Sequence, residues 1–137
     1  MTGKSAAVSR KEMEEYIAGH YSAEAEQPWD RYPEYRVFRH RSNRKWFAVL
    51  MTVPKSRLGL EADGDMDILN LKCGPLMAGS LRTEPGIYPA YHMNKANWIS
   101  AALDGSVSLE SLGLLLDISY ELTAPRSRRG RQADACP

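Results

Sequence analysis

The stretch IYPAYHMNKANWISAALDG, residues 87–105, sets His92, Asn94, Lys95 and Trp98 within seven positions, between two aromatic and apolar runs. A histidine beside a lysine invites general acid–base chemistry, with His92 as base and Lys95 as charge stabiliser. Nucleophilic catalysis also needs a hydroxyl or thiol within hydrogen-bond reach of the base and a third group to orient it. Sequence proximity supplies neither. Cys73 follows a predicted strand that could lie near His92, but it reads as a buried structural thiol. No enzymatic activity is expected, and no cofactor. The second cysteine, Cys136, has no C-x-x-C partner and no paired histidine spacing, so neither a zinc site nor a disulfide framework is indicated.

Two acidic groups could bind a cation. Asp63, Asp65 and Asp67 in DGDMD resemble part of a calcium loop, but the ligand glycine and distal glutamate are out of register, and an exposed turn accounts for them. Glu12, Glu14, Glu15, Glu24 and Glu26 cluster early, and a solvated helix face accounts for those. No metal is expected.

The basic residues are better organised. The net charge is only +1, yet Arg31, Arg36, Arg39, Arg41, Arg44, Lys45, Lys55 and Arg57 face a single acid, Glu34, in the same span. Such asymmetry suits an anionic partner, because each phosphate neutralised releases condensed counterions. Lys95 would add a phosphate contact, and the amides of Asn94 and Asn97 could reach base edges. The plainer reading is that His92 and Asn94 satisfy backbone groups in a tight turn and that Trp98 fills the core. A third reading is a docking surface for a protein or small ligand on the uncovered sheet face, lined by Tyr35, Trp46 and Tyr91.

These residues need a scaffold. At 137 residues, with 43% apolar and 26% charged side chains, the chain suits one folded domain, assigned to residues 1–123. Ser9 and Glu12 make a capping-box pair that opens a helix over 9–21, with Met13, Tyr16 and Ile17 on its apolar stripe. SAEAEQPWDRYPEY then reads as a long connection carrying Trp29 as a packing anchor. Strands are expected over 35–40 and 45–53, joined by the turn RSNR, and over 66–73. A short helix follows from Pro75 to about Thr83. Two more strands, 88–93 and 98–103, flank NKAN. Ser108 caps a last helix with Leu109, Leu112, Leu115, Leu116, Ile118 and Leu122 as its buried stripe. The Arg-rich tail, 124–137, is expected to be disordered. Strands without regular βαβ alternation predict an α+β fold, a twisted and mainly antiparallel sheet with helices packed on one face. No run approaches the roughly 20 apolar residues of a membrane span, and the N-terminus has no secretory h-region, so a cytoplasmic location is expected.

The segments VFRHRSNRKWFAVLMTVPKSRLGL and DILNLKCGPLMAGSLRTEPGIYPAYHMNKANWISAALDGSV, with the closing LLDISYELT, resemble the MmcQ/YjbR family of small bacterial proteins from about Glu12 to Thr123. That resemblance implies a CyaY-like (frataxin-like) α+β fold and a family label of DNA-binding protein with a double-wing arrangement of hairpins. It marks Asn70, Lys72 and Cys73 in one strand, and Tyr91, His92, Met93, Asn94, Lys95 and Trp98 around the second hairpin, as signature residues. Ala90 departs from a glycine common in that pattern, and the tail after Thr123 lies outside it. The expectation is therefore a monomeric, non-enzymatic binder of double-stranded DNA. Its phosphate contacts would come from Arg39, Arg41, Arg44, Lys45, Lys55, Arg57 and Lys95, with Asn94 beside them.

Overall fold

The structure is a computed structural model that describes residues 8–32, 34–91 and 93–125. Helix α1 (Arg10–Tyr21) begins where the sequence predicts. The Ser9 side chain accepts from the Glu12 N–H and the Glu12 carboxylate accepts from the Ser9 N–H, so two of the helix's orphan donors are satisfied. These bonds hold the Glu12 carboxyl below its usual range. Ser22, in the left-handed region at φ 52°, ends the helix.

Five strands follow: β1 (Arg36–Arg39), β2 (Trp46–Pro54), β3 (Asp65–Lys72), β4 (Ile87–Pro89) and β5 (Trp98–Ala102). They form one antiparallel sheet in the order β1-β2-β3-β5-β4, so the α+β reading holds and β3 is the middle strand. Lys55–Leu58 forms a 3-10 turn. Helix α2 (Pro75–Leu81) has proline at its start. Helix α3 (Leu109–Thr123) is capped by Ser108, whose side chain accepts from the Ser111 N–H.

Side-chain alternation divides the sheet into two faces. One carries Phe38, Leu50, Leu69, Leu71, Ile99 and Ala101 and is covered by Met13 and Ile17 of α1 and by Leu112, Leu115 and Leu116 of α3. This is the main core. The other face carries Val37, Val49, Met51, Val53 and Ile68, and among the described residues no α-helix packs on it. It is roofed by side chains from loops, among them Trp29, Tyr35, Trp46 and Tyr91. Trp29 is thus the anchor that the sequence predicts.

A register shift separates these faces at one point. Phe38 pairs with Ala48 while Arg39 pairs with Trp46, so Phe47 is an extra residue in β2, a β-bulge. The bulge turns Phe47 into the main core and returns Trp46 to the loop-roofed face. It also interrupts the β2–β3 ladder beyond the Ala48–Leu71 pair. Ser119 of α3 fills the interruption: its hydroxyl donates to the Phe47 carbonyl at 2.6 Å and accepts from the Lys72 N–H at 2.9 Å.

The α3 stripe accordingly differs from expectation. Leu109 is exposed and Ile118 and Leu122 are only half-buried, while Ser119 and Thr123 are buried. Helical spacing from Leu112 passes through 115, 116, 119 and 123, so two hydroxyls complete the inward line. Beyond α3, Ala124 is buried and Pro125 half-buried. Residues 126–137, with Cys136, lie outside the described residues, as does His92.

Candidate nucleic-acid interface

Two loops leave the sheet at the same end. β1 and β2 are joined by residues 40–45, and β4 and β5 by residues 90–97. The pairing Ala48–Leu71 in one ladder and Lys72–Trp98 in the next puts the start of β2, the end of β3 and the start of β5 side by side. The inner strands of the two loops, β2 and β5, are two strand spacings apart, about 10 Å. Lys72, half-buried, ends β3 between them.

The first loop is fastened to the end of α3. His40 is buried and donates from Nε2 to the Tyr120 carbonyl at 3.0 Å, with Thr123 Oγ1 2.9 Å away. Asn43 donates from Nδ2 to the Thr123 carbonyl at 3.0 Å, occupying one of the carbonyls a helix end leaves without an internal partner. Asn43 Oδ1 accepts from the Lys45 N–H, and Arg44 takes the left-handed turn position at φ 64°. A rigid turn results, with Arg41, Arg44 and Lys45 exposed at its tip.

The second loop is pinned from beneath. Asn70 is fully buried in β3, donates from Nδ2 to the Tyr91 carbonyl at 3.0 Å and accepts from the Ser100 hydroxyl, which itself accepts from the Tyr91 N–H at 3.1 Å. Further along, Asn94 Oδ1 accepts from the Ala96 N–H, and the Asn94 carbonyl accepts from Asn97 and Trp98. Arg82, just after α2, donates to the Lys95 carbonyl at 2.7 Å. The loop is longer than the predicted NKAN turn because β4 stops at Pro89 and the chain then bonds to Asn70 and Ser100 rather than to a strand. Lys95 is exposed at its tip, Met93 and Tyr91 are half-buried, and Trp98 is buried opposite Lys72. The structural reading of Asn94 and Trp98 is what the geometry shows.

Not all the expected phosphate contacts gather here. Lys55 and Arg57 sit past the other end of β2, about 25 Å from the hairpin by strand rise, and Lys55 is half-buried. Their nearness to the other cations in sequence comes from one long strand, which separates them in space. Arg39 belongs to the right end, but its Nε lies 3.2 Å from the Glu26 carboxylate and its guanidinium sits 5.7 Å over the Trp46 ring. Glu26 is brought there by a two-way backbone bridge to Val37 on the outer edge of β1. Arg44 also touches Glu26 at 3.7 Å but keeps 62% of its side chain exposed. Arg36 pairs with Glu14 at 3.1 Å. Among the described residues, Arg41, Lys45 and Lys95 form no ion pair.

The other chemistries find less support. Cys73 is buried, and burial pushes its thiol up, partly countered by Arg82. A protonated thiol of this kind is a poor nucleophile. Among the described residues no group of three or more His, Cys, Asp or Glu side chains converges as a metal site. Of the early glutamates Glu12 serves the α1 cap, Glu14 and Glu26 sit in ion pairs and Glu15 and Glu24 are exposed, while Asp67 accepts from Thr52 Oγ1 at 2.6 Å across β2 and β3. No helix among the described residues is long and apolar enough to cross a membrane.

The YjbR family model matches residues 18–122. The uncharacterized protein YyaQ of Bacillus subtilis (strain 168) is 37% identical over 116 residues, covering 85% of this chain and 98% of that protein. A crystal structure of a Pseudomonas syringae protein is 40% identical, with a TM-score of 0.83 over 85% of this chain and 99% of that one. A solution NMR structure from the same organism gives 0.78, with 40% identity over 86% and 94%. At 24% identity and a TM-score of 0.62, over 93% of this chain and 83% of that one, a Deinococcus radiodurans structure shares the fold. With the match running through the whole sheet and all but the last residue of α3, the chain belongs to the YjbR family.

Proposed function

We propose that this protein is a non-enzymatic, cytoplasmic DNA-binding protein whose two loops at one end of the sheet grip the phosphates of a duplex. The observation that carries the reading is that both rigid loops leave the same sheet end and raise exposed cations there, Arg41, Arg44 and Lys45 on one and Lys95 on the other. Their base separation of about 10 Å is of the order of a duplex groove, about 6 Å for the minor and 12 Å for the major. This supports the double-wing arrangement. Recognition is mainly of the backbone and therefore tolerant of sequence. Asn94 spends its carbonyl oxygen on its own turn and is not counted as a base reader.

Anisotropy of a labelled duplex, followed from about 50 to 200 mM salt, tests the proposal. Each phosphate neutralised contributes about −0.9 to the slope of log affinity against log salt, so four cations predict about −4. Flat anisotropy at the lowest salt would reject it. The loop-roofed sheet face supports a second reading, as a ligand-binding surface, because it holds a hollow of about 250 Å³.

A further inference from the structure

We propose that this hollow is a socket for one unpaired nucleobase, so that the protein binds single-stranded nucleic acid, or a duplex with an extruded base, better than an intact duplex. The inference rests on the nucleic-acid reading above and adds to it a site for a base.

The hollow lies on the loop-roofed face, between the two cationic loops. Val49 and Met51 of β2 form its floor. Its walls are Trp29, Tyr32, Tyr35 and Trp46. Met93 leans in from the second loop as a lip. Trp46 is the first residue after the cationic tip of the first loop, so a base in the hollow would leave its phosphate near Arg44 and Lys45. The site is thus built by β2, the segment before β1 and the second loop, and the first loop's cations immediately precede Trp46.

Ring geometry and charge narrow the ligand. Trp29 stands nearly perpendicular to both Trp46 and Tyr35, at 86° and 88°, and Tyr32 stacks on Tyr35 at 13° with centroids 4.9 Å apart. Tyr32 is 46% exposed. Aromatic faces of this kind accept either a flat ring or an organic cation. Surrounding charge decides between them. No lining residue carries a formal charge, while Arg39 already lies over Trp46 and Arg44 and Lys45 follow close by. A quaternary ammonium would find no carboxylate in the lining, and the acid nearest Trp46, Glu26, is already paired with Arg39 and Arg44. A neutral ring tethered to a phosphate meets stacking surface and cations together. Size agrees, because about 250 Å³ falls just below the range of drug-sized pockets, roughly 300–1,000 Å³, and so suits a single small ring system. The larger cleft between α2 and α3, of about 520 Å³, has Glu84 in its lining and no cation, which disfavours a phosphate-bearing ligand.

The test uses the full chain with a short oligothymidylate and a duplex of the same length. The unmodified protein should bind the oligothymidylate more tightly than the duplex, with quenched tryptophan emission, because Trp29 and Trp46 are two of its three tryptophans. Tyr32→Ala should lower oligothymidylate affinity about tenfold while leaving duplex affinity unchanged, and Tyr32→Phe should keep the affinity of the unmodified chain. If the duplex binds with its steep salt slope while the oligothymidylate shows neither preference nor quenching, the socket is wrong and the phosphate reading stands. Quenching by tetramethylammonium chloride at concentrations where the oligothymidylate gives none would overturn the socket in favour of a cation cage. Oligothymidylate binding and quenching without any duplex binding would support the socket and reject the duplex reading.

Discussion

Ser119→Ala lowers the unfolding free energy by about 2–4 kcal/mol, since it strips a partner from two backbone groups at about 1–2 kcal/mol each, within the range for an unsatisfied buried group. The two groups are the Phe47 carbonyl and the Lys72 N–H, which the bulge has taken out of the β2–β3 ladder. Phe47 is fully buried, so water has no ready access to its carbonyl. Shrinking a hydroxyl to a hydrogen leaves little room for a replacement water. The thermal midpoint should fall by about 10 °C for a chain of this size. Because the same turn of α3 also anchors His40 and Asn43, the loss should be accompanied by loosening of residues 40–45. A change below about 0.5 kcal/mol, the scale of ordinary surface substitutions, would show that the hydroxyl is not filling the ladder.

Asn70→Ala should cost about 2–3 kcal/mol and should be felt in the second loop. The Asn70 amide donates to the Tyr91 carbonyl at 3.0 Å and to Met51 Sδ at 3.3 Å, and accepts from Ser100. Removing it deletes these bonds and opens a small void in a fully buried position of the central strand. Urea unfolding gives the energy. Amide hydrogen exchange of residues 90–97 gives the location, and faster exchange there than in β1 and β2 is the expected pattern. Exchange that rises uniformly, or not at all, would deny Asn70 its role as the pin beneath the loop.

The parts of this fold that local chemistry controls are legible in the sequence. The α1 capping box, the proline that opens α2, the Ser108 cap of α3 and the apolar runs of β2 and β3 all appear where their residue types require. The sheet end that gathers the cations is less legible, because it depends on pairing register. Lys55 and Arg57 are the exception, since the strand expected over 45–53 already sets them at the end opposite Arg44, as β2 does. Glu26 reaches Arg39 and Arg44 only because an isolated bridge brings residues 23–26 alongside β1, and isolated bridges have no sequence signature. The bulge at Phe47 is hidden too, since WFAVLM reads equally well in either register. One signal was present and went unused: Ser119 and Thr123 stand at inward positions of the α3 period, and hydroxyls on a buried stripe must meet buried backbone. Asn70, apolar on either side in β3, carries the same message.

The central claim is that one end of the sheet, and not the whole basic span, meets the polyanion. It is tested most directly by measuring duplex affinity for two paired charge reversals, Arg41→Glu with Lys95→Glu at the loop tips, and Lys55→Glu with Arg57→Glu at the far end. Both pairs change net charge equally, so a general charge effect cancels in the comparison. The account predicts that the loop pair abolishes measurable duplex binding and flattens the salt slope, while the far pair leaves the slope unchanged and lowers affinity only slightly. Equal losses from the two pairs, or a greater loss from the far pair, would contradict it.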